Sequence, residues 1–340
     1  MDEQQHFSDA FSGENAQPQG ILERLRISPL LINATVLIGI LFVYMLAGGL
    51  ATLLAAGVNA GSVELSDLKL AINDGNLQMI RLVQFLAQVL IIGLPVLFLV
   101  PLHTGNWQVL SQENRRFLGL EVKASPMEFI YAALGIIVIH PFLAYSADLQ
   151  ITAMDVIFGV GDTLLAERKM MDEFIEKLTV MRSPAEFLGV AGLIAVTPAI
   201  CEELLFRGYV LKNFSRSLSA GLTVFLTGLI FGAYHLNASE TLPLVILGIY
   251  ISFVRYYSGA LSVAMTIHFV NNFFSVSGVF VLSHADFFHI NPSLLESFES
   301  RNPDISSASA IFSAGLSLAL FFIILNLYKT AVQKRFALGQ

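Results

Sequence analysis

Six residues on three apolar stretches carry side chains able to move a proton or hold developing charge: Glu202, Glu203 and Arg207, then His235, then His268 and Asn272. An ionised group at mid-bilayer costs at least ~2.5 kcal/mol on insertion scales unless it is paired or hydrated, so their presence inside apolar sequence calls for a reason. Glu203 and Arg207 stand four apart, on one helical face, and fit a buried ion pair. Glu202 is rotated from them by about 100° and keeps a free carboxylate. His268 and Asn272, also four apart, present two hydrogen-bond donors on one face. A free carboxylate with hydrogen-bond donors is able to exchange a proton or to bind a polar group. Taken singly, each group has a plainer reading. The Glu-Glu-Arg set suits a helix end snorkelling to the interface, and a lone His or Asn suits interhelical hydrogen bonding.

The string Thr197-Pro198 resembles an N-cap followed by a first-turn proline, which predicts a helix restarting within the membrane just before Glu202, with free backbone donors at its start. Counted from a turn near Arg216, Glu202 lies 14 residues back and His235 19 forward; from a turn at Gly259, His268 and Asn272 lie 9 and 13 forward. At 1.5 Å per residue these are depths of roughly 21, 28, 14 and 20 Å. The four share one layer if tilt or a kink absorbs the spread.

The elements that must hold these groups are membrane helices. The chain has 340 residues, 55% hydrophobic and 13% charged, with mean hydropathy +0.69, outside the range of a water-soluble core and shell. From Ile27 to Val63, 37 residues pass without Asp, Glu, Lys, Arg or His, where about 20 suffice to cross ~30 Å of hydrocarbon. The predicted fold is all-α, a polytopic bundle of eight spans, at about 30–57, 82–102, 129–147, 187 onward, 220–234, 241–254, 261–282 and 305–328. The organisation reads as a polar tail over 1–28, three spans over 29–147, an acidic external connection over 148–183, a membrane core over 184–283, an external loop over 284–304, and a last span with its tail over 305–340. The polar tail lacks the apolar core of a cleavable signal peptide. Placing both termini in the cytoplasm puts 12 of 19 basic residues inside and 16 of 26 acids outside, as the positive-inside rule asks. A net charge of −7 without a basic run excludes a nucleic-acid partner, and the single Cys201 excludes a disulfide framework or a Cys-Cys zinc site.

Glu-Glu-x-x-x-Arg at 202–207, Phe-x-x-x-His at 231–235 and His-x-x-x-Asn at 268–272, in that order on successive apolar segments, resemble the CPBP intramembrane proteases, the CAAX protease and bacteriocin-processing (Abi) family. The resemblance covers about 184–283 and implies peptide-bond hydrolysis within the membrane. It implies Glu202 as general base with His235 orienting the water, Glu203 paired with Arg207, and His268 with Asn272 as the oxyanion hole. It leaves metal open: Glu202, His235 and His268 also form a two-His, one-carboxylate set of the kind that holds zinc. The implied partners are membrane lipid and a protein or peptide substrate, and the implied location is a multi-pass protein of a bacterial plasma membrane.

Rival signatures are missing or misplaced. His-Glu-x-x-His and Gly-x-Ser-Gly do not occur. Gly159-Val160-Gly161-Asp162 spells the aspartyl-protease string, but no second membrane-embedded Asp accompanies it, and Asp162 reads as a loop residue. A transporter or scaffold would use the same Glu/His cluster as a proton relay or binding pocket.

Overall fold

The computed structural model describes residues 20–58, 71–291 and 305–338. The expectations for most of the tail over 1–28 and of the loop over 284–304 fall outside the described residues. The described residues form helices joined by turns and irregular links, with no strand. In chain order the helices are α1 (Ile21–Arg24), α2 (Pro29–Ala56), α3 (Leu77–Thr104), α4 (Gln112–Leu118), α5 (Pro126–Phe158), α6 (Gly161–Leu178), α7 (Pro184–Ser215), α8 (Ala220–Tyr234), α9 (Thr241–Ser258), α10 (Leu261–Ser283) and α11 (Ala308–Ala337). Three long helices begin at Ser-Pro: Ser28-Pro29, Ser125-Pro126 and Ser183-Pro184. Proline is pre-set for the first turn, where its missing N–H would have no partner anyway. The Glu128 carboxylate accepts from the Ser125 N–H at 2.9 Å, and the Ser183 hydroxyl accepts from the Glu186 N–H. Left-handed glycines stop α2, α5 and α9, at Gly57, Gly159 and Gly259.

Among the described residues, seven helices are long and apolar enough to cross a membrane, against the eight expected. The difference is α8. Its 15 residues reach only about 22 Å, short of ~30 Å of hydrocarbon. The expectation counted apolar composition and overlooked that length. Large side chains facing outward on α2 and α11, among them Ile38, Phe42, Phe312 and Ile323, are each more than half exposed in the isolated chain and require lipid around them. These features make the protein an integral membrane protein.

The inner helices are α7 and α9, buried over 61% and 67% of their apolar windows where the other spans reach 17–33%. α8 lies against α9 at backbone distance. A Cβ on Gly228 would stand 2.4 Å from the Ile249 nitrogen, and one on Gly232 would stand 2.7 Å from the Val245 nitrogen. Small residues four apart are what such an approach needs.

α7 is one continuous helix, which corrects the expectation of a restart at Thr197-Pro198. It runs through two wide π-helical stretches, Gly192–Val196 and Leu204–Val210. Pro198 has no N–H for the carbonyl four residues back, that of Ile194, and the wide turn before it accommodates the ring without breaking the helix. The Thr197 hydroxyl returns to the Gly192 carbonyl at 2.8 Å instead of capping a new helix. α3 repeats the device, with a π stretch at Gln88–Gly93 just before Pro95. A fourth π stretch, Tyr44–Gly48, lies in α2.

Candidate active site

Glu203 and Arg207, on consecutive turns of α7, are fully buried, and Arg207 Nη1 donates to Glu203 Oε1 at 2.7 Å. Two further acceptors hold the guanidinium, the Gly248 carbonyl at 3.0 Å and Ser252 Oγ at 3.3 Å on α9. The Phe231 ring of α8 faces it with its centroid 4.3 Å from Cζ. Arg207 therefore knits α7, α8 and α9 together behind the site. Glu203 Oε1 accepts a second bond, from His268 Nδ1 at 2.7 Å, while its Oε2 is buried without a hydrogen-bond partner.

Glu202 turns the other way, as the helical rotation requires. It lines a cavity of about 230 Å³ together with His235, His268, Asn272 and Gln88. Its Oε1 accepts from Gln88 Nε2 on α3 at 3.0 Å, and its Oε2 lies 4.0 Å from His268 Nε2. Glu203 and Arg207 do not line this cavity; they stand behind it. His235 follows the last residue of α8, and its Nδ1 donates to the Phe231 carbonyl one turn back at 2.8 Å. A carbonyl only accepts, so the hydrogen is on Nδ1 and Nε2 of the neutral ring keeps a lone pair. Phe231 thus serves several neighbours at once: its ring meets His235 at 4.8 Å, His268 at 5.8 Å and Arg207.

The two donors expected on α10 are partly committed. Asn272 Nδ2 donates to the Ile194 carbonyl at 2.9 Å, the group Pro198 leaves without its helical partner, and its Oδ1 accepts from Asn271. One N–H of the Asn272 amide remains for another acceptor. For His268, the carboxylate at Nδ1 fixes the hydrogen there. Its Nε2 is then an acceptor when the ring is neutral and a donor only when both nitrogens carry hydrogen.

Metal fits this arrangement poorly. Among the described residues no group of three His, Cys, Asp or Glu side chains is gathered closely enough to hold an ion. Glu202 Oε2 and His268 Nε2, 4.0 Å apart, would each have to lie about 2.1 Å from a shared zinc and would subtend roughly 145° at it, well away from tetrahedral. The Glu202, His235 and His268 side chains line one cavity without converging on one point, and the zinc reading does not match them.

Asp162 is a residue of the first turn of α6, exposed and away from the cavity, and not part of a loop. An acid in the first turn suits the positive end of the helix dipole, which accounts for it without chemistry. Gln88 escaped the sequence reading. Its signal was an amide in an otherwise apolar span, which interhelical bonding explains equally well until its partner is known.

Residues 184–274 match the family model described as type II CAAX prenyl endopeptidase Rce1-like. The matched stretch holds the Glu-Glu-x-x-x-Arg, Phe-x-x-x-His and His-x-x-x-Asn motifs and supports the CAAX protease family. Searches of curated proteins and of solved structures returned no match.

Proposed function

With a CAAX-protease-type domain at residues 184–274 as the premise, we propose that this protein is an intramembrane endopeptidase that hydrolyses a peptide bond in a membrane-associated protein or peptide, with Glu202 activating the water. The observation that carries this reading is the division of labour between adjacent acids. Glu203 is spent on Arg207 and His268, and Glu202 keeps an oxygen facing the cavity shared with His235, His268 and Asn272.

The steps follow from the atoms present. A water accepted by the Glu202 carboxylate and by the His235 Nε2 lone pair is aimed by both. As its oxygen attacks the scissile carbonyl carbon, its proton passes to Glu202 and the carbonyl π pair moves to oxygen. The free Asn272 N–H and the His268 Nε2–H, present when that ring is protonated, receive the oxyanion. Glu202 returns the proton to the amine nitrogen as the C–N bond breaks.

The test uses the purified protein in liposomes and a fluorescence-quenched peptide ending in a prenylated CAAX sequence, incubated in ¹⁸O-labelled water. Cleavage with label in the new carboxyl terminus is expected. Intact peptide, or proton-coupled uptake of a solute in its place, overturns the reading in favour of a transporter or scaffold.

A further inference from the structure

Gln88 stands outside the matched domain, on α3, and among the described residues is the one side chain from the first half of the chain that hydrogen-bonds Glu202. The bond's chemistry fixes the amide's orientation, since a carboxylate oxygen accepts and only Nε2 donates. Three features say that this contact is built. Gln88 opens the π stretch Gln88–Gly93, and wide turns of this kind in α-helices gather at functional sites. One wide turn on, Gly93 brings α3 against α7 beside Glu202: a Cβ there would stand 2.7 Å from the sulfur of Cys201. The Gln88 carbonyl oxygen is buried without a hydrogen-bond partner although its residue lines the cavity. Such an acceptor is costly to bury unless it meets a donor during the reaction.

We propose that Gln88 is a positioning residue for the general base. Its Nε2–H holds Glu202 Oε1, which leaves Oε2 as the oxygen that takes the proton, on the side where His268 stands, and its Oε1 accepts a backbone N–H of the bound peptide. The catalytic domain is therefore incomplete without α3, and the first half of the chain contributes to the reaction as well as to the bundle. This inference rests on the reading of Glu202 as the base.

The test compares Gln88→Leu, Gln88→Glu and Glu202→Gln, each in the full chain in liposomes with the same quenched peptide. Gln88→Leu keeps the volume and removes both hydrogen-bonding functions. It is expected to lower kcat roughly 10- to 100-fold, the cost of misplacing a reacting group by about an ångström, with KM changed less than about threefold. Gln88→Glu places a second carboxylate at hydrogen-bonding distance from Glu202. The two then share a proton, and the acidic limb of the kcat–pH profile is expected to move up by about one pH unit or more. A purely structural glutamine moves neither quantity. If Gln88→Leu fails to fold, the Gln88→Glu profile decides alone. Inactive Glu202→Gln together with a wild-type kcat and an unshifted profile in the Gln88 variants overturns the positioning role and leaves the base intact. An active Glu202→Gln overturns both.

Discussion

The ion pair behind the site makes the sharpest prediction about how the fold holds its chemistry. Glu203→Leu removes one charge of a pair with no solvent exposure on either side and leaves Arg207 cationic in the bundle. Stranding one member of such a pair costs about 3–5 kcal/mol. The Gly248 carbonyl, Ser252 Oγ and the Phe231 face stay in place around the guanidinium and bring the value toward the lower end, about 3 kcal/mol, a factor of more than a hundred in the folding equilibrium. Arg207→Met alone strands Glu203, whose Oε2 already lacks a partner, at a comparable cost. Glu203→Leu with Arg207→Met replaces the pair by apolar groups and leaves the His268 Nδ1–H, and the Ser252 Oγ that accepted from Arg207, without those partners, about 1–3 kcal/mol each. The double variant is therefore more stable than either single one, while cleavage stays lost because His268 no longer has the carboxylate that orients it. Equilibrium unfolding in mixed detergent micelles, followed by circular dichroism, measures the cycle. Singles costing under 1 kcal/mol, or a double whose cost equals the sum of the singles, would refute the reasoning.

Three further outcomes follow from other parts of the structure. Gly228→Val pushes a branched side chain into the Ile249 backbone, separates α8 from α9, and is expected to abolish activity together with a cooperative melt; a variant that melts and cleaves like the wild type contradicts the close packing. Burial pushes the Glu240 carboxyl above the usual carboxylate range; Arg168 pulls it down, and Asp172 and Asp148 add to the rise. An acid raised in the fold favours its protonated form there, so the fold gains stability as pH falls through that raised range and loses it as pH rises. Glu240→Gln is accordingly expected to melt higher than the wild type at pH 7, with the gap closing toward pH 5; a gap that widens as pH falls has the wrong sign. The poor match of the cavity to zinc predicts that incubation with EDTA or phenanthroline, followed by metal analysis, leaves the cleavage rate unchanged with no stoichiometric zinc released, and parallel loss of zinc and activity would overturn it.

Much of this arrangement was legible before any coordinates. Spacing of four put Glu203 on Arg207 and turned Glu202 away, because α-helical rotation survives even where the helix widens locally. The span around 30–57 emerged from a stretch without Asp, Glu, Lys, Arg or His, and the one around 261–282 from apolar sequence interrupted by His268, Asn271 and Asn272. The missed features share a physical cause: they depend on what one helix offers another. Thr197-Pro198 is locally indistinguishable from a helix start, and what keeps α7 continuous is a π turn with an asparagine from α10 reaching the Ile194 carbonyl. α8 has the composition of a span, and only its glycine-lined seat on α9 shows why 15 residues serve. Gln88 carries no mark along the chain that distinguishes a partner of the base from ordinary interhelical bonding.

The claim on which the account depends is that Glu202, and not its neighbour, takes the proton from water. Measuring kcat for Glu202→Gln in liposomes, beside its unfolding midpoint, tests it most directly. The account predicts a fall of about 10²- to 10⁴-fold with the midpoint unchanged, the size expected for loss of a general base. A variant that cleaves within about tenfold of the wild-type rate would contradict it.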